Sequence, residues 1–123
     1  FGVPRPKLTA FDIGSDGSLR NQRIFAEFEE TRGPDGICMD AEGAVWASIP
    51  SAGEYRRVHE GGEVTDIISI PAEGGNFCVD CALGGEDMRT LFMLISDTNG
   101  ERLANNWDST ARIETVRVAV PGF

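Results

Sequence analysis

The sequence is poor in long apolar runs and in positive charge. No uncharged stretch approaches the roughly 20 apolar residues that cross a bilayer, and no basic and then apolar segment predicts a secretory signal. Its 11 Lys and Arg face 20 Asp and Glu, a net charge of −9. An acidic protein of this kind is repelled by nucleic acids and by anionic membranes, so we expect neither as a partner. The chain begins with Phe1 instead of Met, which suggests a processed or excised piece.

Cysteine and histidine are also scarce. The three cysteines, Cys38, Cys78 and Cys81, are an odd number in apolar surroundings, so we expect buried, reduced thiols. The Cys78-x-x-Cys81 spacing is also compatible with a zinc or redox motif. Zinc needs four ligands, and the only histidine, His59, is distant and is predicted to be an exposed strand residue. Because an odd number of cysteines does not form a complete disulfide framework, a reducing, cytoplasmic location is predicted.

What is present is typical of a small globular all-β protein, with 41% hydrophobic and 25% charged residues. Short apolar runs separated by glycine-rich turns predict strands, and no amphipathic helix is indicated. The predicted strands cover residues 8–13, 23–28, 37–40, 45–49, 55–60, 64–70, 77–83, 91–96 and 113–120. The polar segment 97–110 is predicted to be a loop.

The turns repeat along the chain, with a glycine two residues before an aliphatic residue at Leu19, Val45 and Val64. A repeat of about 40 residues with four strands favours a β-propeller, whose blades have this size. A closed propeller usually needs 4 to 8 blades, so this chain would form only part of one. We assign residues 1–31 to the outer strands of one blade, 32–71 to a complete blade and 72–123 to the last.

The segment RGPDGICMDAEGAVWA, residues 32–47, resembles the regucalcin and gluconolactonase family. The similarity continues through RVHEGGEVT, ALGGEDMRTLF and the closing ARIETVRVAVPG, so it covers the chain from about Leu8 to its end. The resemblance implies a six-bladed propeller with four-stranded antiparallel blades, of which two and a half to three are present. It matches only the C-terminal half of the family pattern and implies lactone hydrolysis with a bound divalent metal, calcium or zinc.

The same resemblance assigns roles to individual residues. It implies that Asp35, in the Pro-Asp-Gly segment, ligates the metal and accepts a proton from the attacking water as a catalytic residue. Two further candidates, both for substrate binding, do not come from the resemblance. Arg32 is a candidate to contact a substrate oxygen, and the internal repeat suggests Asp80, because Phe77 and its neighbours enter their blade as Pro34 enters the preceding one. The family more often has a small hydroxyl residue at the position of Asp80. Taken alone, an Asp-Gly pair is a common turn dipeptide, which is the alternative interpretation of Asp35.

Two functions follow from these expectations. The first is the C-terminal half of a metal-dependent lactone hydrolase, completed by a second chain that is either the missing half or a second copy. The second is a non-catalytic, truncated propeller segment that acts as a scaffold or interaction module. One carboxylate holds calcium poorly, because the ion prefers roughly 6 to 8 oxygens, so the first reading requires ligands from other protein.

Overall fold

The computed structural model describes residues 4–106 and 109–123, most of which lie in strands. The strands are β1 (Lys7–Ile13), β2 (Leu19–Glu27), β3 (Ile37–Met39), β4 (Val45–Ile49), β5 (Glu54–Val58), β6 (Val64–Ser69), β7 (Phe77–Gly84), β8 (Thr90–Asp97) and β9 (Thr110–Arg117). A 3-10 turn covers Pro50–Ala52, and a short helix, α1, covers Gly100–Asn106. In the described ranges no helix has the length and apolar character needed to span a membrane.

The strands form three antiparallel sheets, and within each sheet the strands are adjacent in chain order: β1-β2, β3-β4-β5-β6 and β7-β8-β9. The prediction of a mostly β, antiparallel protein is therefore confirmed. The three sheets contain two, four and three strands.

Local predictions were wrong in the segment 97–110, at the start of β2 and in β9, which covers Thr110–Arg117 instead of residues 113–120. The segment 97–110 contains α1, which begins after Asn99, whose side-chain Oδ1 accepts the Arg102 backbone N–H at 2.9 Å. The segment around this cap is polar and lacks apolar residues at helical spacing, so the hydrophobic pattern did not predict α1. Strand β2 begins at Leu19 instead of residue 23, because its first residues pair with the end of β1 around Asp12. These residues are exposed and mostly polar, so they show no alternation of apolar residues that would predict a strand.

The central sheet is covered on both sides, which explains why all five residues of β4 are buried. Alternate side chains of a strand point to opposite faces, so Trp46 and Val45 enter different cores. One core contains Phe25, Ala26, Phe28, Val45, Ala47, Ile49 and Val58. The other contains Trp46, Tyr55, Ile70, Cys78, Cys81, Leu91, Met93 and Ile95.

A buried ion pair joins the β3–β4 turn to β5. Asp40 is fully buried, accepts the backbone N–H groups of Glu42 and Ala44 at 2.9 and 3.1 Å, and lies 2.7 Å from Arg57 Nε. Burial opposes the charge of Arg57, yet its hydrogen bonds to Asp40 and Glu42 hold its pKa above the ordinary value. His59 was expected to be an exposed strand residue, but it is half-buried just after β5, with Nε2 3.0 Å from Arg57 Nη1.

Strand β3 is uncovered on the side that faces the two-stranded sheet. Ile37 and Met39 are 48% and 46% exposed, although both are large and apolar. A groove of about 420 Å³ lies between β1 and β3, with Leu8, Ala10 and Phe11 on its far side. The two-stranded sheet thus covers β4 and β5 but leaves the apolar face of β3 open.

Candidate functional site

Asp35 lies at the end of the central sheet where β3 begins. Its backbone N–H donates to the carbonyl oxygen of Ser48 at 2.9 Å, and the next N–H, of Gly36, donates to the carbonyl oxygen of Val79 at 2.9 Å. The first bond ties the segment to β4 and the second ties it to β7 of the neighbouring sheet. Asp35 is therefore held at the boundary between two sheets.

Gly36 is required by a close approach to β7. A Cβ atom on this residue would lie 2.6 Å from the Asp80 Cα and would overlap the Asp80 carboxylate. The Gly36 carbonyl oxygen is fixed in turn by Ser48, whose N–H and Oγ both donate to it at 3.0 Å. Asp35 and Asp80 consequently start from adjoining backbone positions in two different sheets.

The three residues predicted from sequence do not all come together. Asp35, Asp80 and Arg32 are exposed, and one carboxylate oxygen of Asp80 accepts the N–H of Cys81 at 2.8 Å. Arg32 lies in the connection before β3, where its own N–H donates to the carbonyl oxygen of Glu29 at 2.9 Å. In the part of the chain that the structure describes, no hydrogen bond or ion pair links Arg32 to either carboxylate.

The described residues do not by themselves fit a complete divalent-metal site. Within residues 4–106 and 109–123, no group of three or more His, Cys, Asp or Glu side chains is placed to hold a metal ion. Zinc sites use four coordination positions and calcium sites take 6 to 8 oxygens. This chain offers Asp35 with Asp80 near it, so we derive no metal-dependent step from these residues alone.

Sequence reasoning missed a pair of thiols close to these carboxylates. Cys38 on β3 and Cys81 on β7 have their Sγ atoms 3.6 Å apart, whereas the sequence predicted only that each is a buried, reduced thiol. Cys81 is buried and Cys38 is only partly so. The internal repeat offered a signal, because it makes β3 and β7 the equivalent first strands of two neighbouring sheets. That equivalence places the two cysteines at similar depth in neighbouring strands.

The third thiol, of Cys78, lies in the core and hydrogen-bonds to the carbonyl oxygen of Asn76 at 3.4 Å. Burial raises its pKa to about 11. The neighbouring Tyr55 hydroxyl donates to the carbonyl oxygen of Leu94 at 2.6 Å, and burial likewise raises the pKa of Tyr55 above its ordinary value. Both groups therefore stay neutral at physiological pH.

Comparison with known proteins connects these features to one family. The family model described as the SMP-30/gluconolactonase/LRE-like region matches residues 2–97. A 6-deoxy-6-sulfogluconolactonase of Pseudomonas putida is 32% identical over 124 residues, covering 98% of this chain and 41% of that protein. Regucalcin of Danio rerio is 28% identical over 121 residues, covering 94% of this chain and 40% of that protein.

Two solved structures share the fold. A luciferin-regenerating enzyme superposes with a TM-score of 0.72 at 19% identity, and regucalcin of Agrobacterium tumefaciens, described as a calcium-binding protein, with a TM-score of 0.68 at 18% identity. They cover 97% and 95% of this chain. The chain spans about 40% of the length of each of these four proteins.

Proposed function

Since the chain belongs to the SMP-30/gluconolactonase/LRE-like family, we propose that it forms the C-terminal half of a divalent-metal-dependent lactone hydrolase. The observation that carries the proposal is the position of Asp35, exposed at the boundary between two sheets and next to the glycine that packs on Asp80. The substrates would be small lactones. The blades would belong to a six-bladed propeller, in keeping with the fold similarity to regucalcin.

In this proposal Asp35 has the catalytic role. Lactone hydrolysis adds water to the ring carbonyl carbon and breaks the ring C–O bond, which leaves a hydroxy acid. A carboxylate positioned beside the attacking water accepts its proton. Asp35 would also be one ligand of a calcium or zinc ion, with the remaining ligands supplied by other protein. Asp80 and Arg32 would contact the polar oxygens of the substrate.

The protein that completes the site would be the missing N-terminal half or a second copy of this chain. The open groove beside Ile37 and Met39 supports this, because apolar surface of that kind is normally covered. The two-stranded sheet supports it as well, since two further inner strands would fill the space between β1 and β3. An uncovered sheet edge otherwise invites aggregation. The three free thiols suit a reducing, cytoplasmic compartment.

The alternative is a non-catalytic scaffold or interaction module. It is favoured by one observation, namely that the described residues hold no cluster of three or more metal-binding side chains. A scaffold would keep the sheets and the groove but would neither bind the metal at Asp35 nor hydrolyse lactones. Metal binding and catalysis therefore separate the two functions.

The test uses the complete protein that contains this chain, with Asp35→Asn as the variant and Glu63→Gln as its matched control. Glu63 is an exposed carboxylate in the β5–β6 turn, at the opposite end of the sheet. We expect Asp35→Asn to lower lactone turnover by at least about 100-fold and to abolish the rise in melting temperature produced by calcium or zinc. Glu63→Gln should leave both unchanged.

Two results would contradict the proposal. If Asp35→Asn retained turnover and metal-induced stabilisation, the metal site would lie elsewhere. If the unmodified, complete protein showed neither lactone hydrolysis nor stabilisation by either metal, the scaffold function would replace the enzymatic one.

A further inference from the structure

Two thiols from different sheets meet between β3 and β7. The Sγ atoms of Cys38 and Cys81 are 3.6 Å apart, although the residues are separated by 43 positions in the chain. Cys81 is 4% exposed, and its Sγ lies 3.5 Å from the carbonyl oxygen of Trp46. Cys38 is partly exposed. The pair therefore combines a partly exposed cysteine with a buried one.

The surroundings of the two thiols favour opposite protonation states. The hydrogen bond with Cys81, together with a backbone N–H of Leu83, lowers the pKa of Cys38 against the effect of burial. The hydrogen bond with Cys38 and burial raise the pKa of Cys81. Thiolates, and not thiols, react with peroxides and disulfides. Cys38, which is also the more exposed of the two, would be the nucleophile of the pair, and Cys81 would resolve its oxidised form.

We propose that Cys38 and Cys81 form a peroxide-responsive disulfide that joins the inner strands β3 and β7. The Cys38 thiolate attacks one oxygen of hydrogen peroxide, the O–O bond breaks, and the second oxygen leaves as water after taking up a proton. The Cys81 sulfur then attacks the Cys38 sulfenic acid, an S–S bond forms, and a second water leaves. Two thiols lose two electrons and two protons, and one peroxide becomes two waters.

The geometry needs little adjustment. A disulfide has an S–S distance of about 2.05 Å, so the two sulfur atoms must approach by about 1.5 Å from their present separation. Both cysteines lie on strands held by backbone ladders to β4 and β8, and their side chains already face each other. We expect side-chain rotation to supply the movement, since these ladders hold the sheets in place.

The bond would act on the region that carries the candidate site. Cys81 directly follows Asp80, and Cys38 lies three residues after Asp35. Oxidation would therefore link the two sheets at the boundary on which Asp35 and Asp80 lie. This inference does not depend on lactone hydrolysis, because it concerns the thiols alone. Reversible disulfides of this kind in a reducing compartment are usually redox-sensing or catalytic.

The test is disulfide mapping of the complete protein after mild treatment with hydrogen peroxide. Free thiols are blocked, and the chain is cut with an endoproteinase that cleaves before aspartate. The sequence then places Cys38 in peptide 35–39, Cys78 in 66–79 and Cys81 in 80–86. We expect peptide 35–39 linked to 80–86, a product that dithiothreitol removes, while 66–79 carries only the blocking group. The bond should also raise the melting temperature by about 10 °C.

The variants provide matched controls. Cys38→Ser and Cys81→Ser should each abolish the linked peptide and the rise in melting temperature, whereas Cys78→Ser should keep both. Oxidation of Cys38 to a sulfinic acid without a linked peptide would overturn the proposal. So would a linkage that contains peptide 66–79. Mapping of the unmodified protein decides the question even if a variant fails to fold.

Discussion

Gly36 and Asp80 are in direct contact across the boundary between two sheets. A methyl group on Gly36 would lie 2.6 Å from the Asp80 Cα, a distance that real Cβ atoms do not reach. The contact involves backbone on both sides, since the Gly36 N–H also donates to the carbonyl oxygen of Val79 at 2.9 Å. The glycine that follows Asp35 therefore sets how closely the two sheets approach at the candidate site.

Gly36→Ala should destabilise the protein by about 3 kcal/mol, because neither sheet can move away without losing its ladder or the core behind it. Urea unfolding measures the change. Gly100→Ala is the control, since a Cβ at the start of α1 meets nothing within 4 Å, and it should change stability by less than about 0.5 kcal/mol. Equal stabilities for the two variants would contradict the close approach.

Asp40→Ala should be strongly destabilising, by about 3 to 5 kcal/mol, because it leaves the buried Arg57 without its closest partner and the β3–β4 turn without two hydrogen bonds. Glu42→Ala removes a second partner of the same arginine. Since the Glu42 side chain is 60% exposed, that loss should be below about 1 kcal/mol. Urea unfolding of both variants checks the contrast, and similar losses would show that burial does not decide the difference.

Stability should fall as pH rises from 9 towards 11. The pKa of Cys78 is about 11 in the folded protein against an ordinary value of 9.0, so the unfolded chain loses this proton first. The stabilisation provided by the protonated Cys78 thiol is fully present below pH 9 and is lost as the pH rises through 11. The free energy of unfolding falls by about 2 kcal/mol over this range. In unfolding curves at pH 8 and about pH 10.5, Cys78→Ala should show a smaller alkaline decrease than the unmodified protein.

The alkaline decrease should not vanish in that variant, because burial also raises the pKa of Tyr55 in the same direction. An unchanged decrease in Cys78→Ala would mean that the Cys78 thiol is not the group that titrates.

Ile37→Lys should disrupt assembly with the proposed N-terminal half or second copy, because it places a charge on the open apolar face of β3. The variant chain itself should fold, since Ile37 is already 48% exposed. Val64→Lys is the control: Val64 is 40% exposed, but it lies on β6, the edge strand of the four-stranded sheet that is farthest from β3. Native mass measurement reads out assembly. Loss of assembly by Val64→Lys alone would place the interface elsewhere.

The strands and turns could be predicted because their signals are local. Alternation of apolar residues and glycine-rich turns identified β4 and its neighbours, and the hydrogen bonds to Asp40 close the β3–β4 turn. Helix α1 could not be predicted by periodicity, since its stability depends on the Asn99 cap and not on an apolar face. The polar start of β2 was missed for a similar reason.

The candidate site was only partly accessible to sequence reasoning. Asp35 was identified from the Pro-Asp-Gly segment and a family resemblance, and its catalytic role stays a prediction. The contact of Gly36 with Asp80 was not anticipated, nor was the pairing of Cys38 with Cys81. The two residues of each pair are more than forty positions apart in the chain, and no local sequence pattern indicates that they are close in space.

The sequence by itself determined where strands and turns form, the acidic charge and the family, because each of these depends on neighbouring residues or on motifs read in order. Only the tertiary structure decided which sheets face each other, that the apolar face of β3 stays open, and that the Cys38 and Cys81 sulfurs lie 3.6 Å apart. The physical reason is that sheet packing is set by the joint fit of many side chains from distant segments. A different packing of these side chains would change the contacts between the sheets without changing which residues form strands.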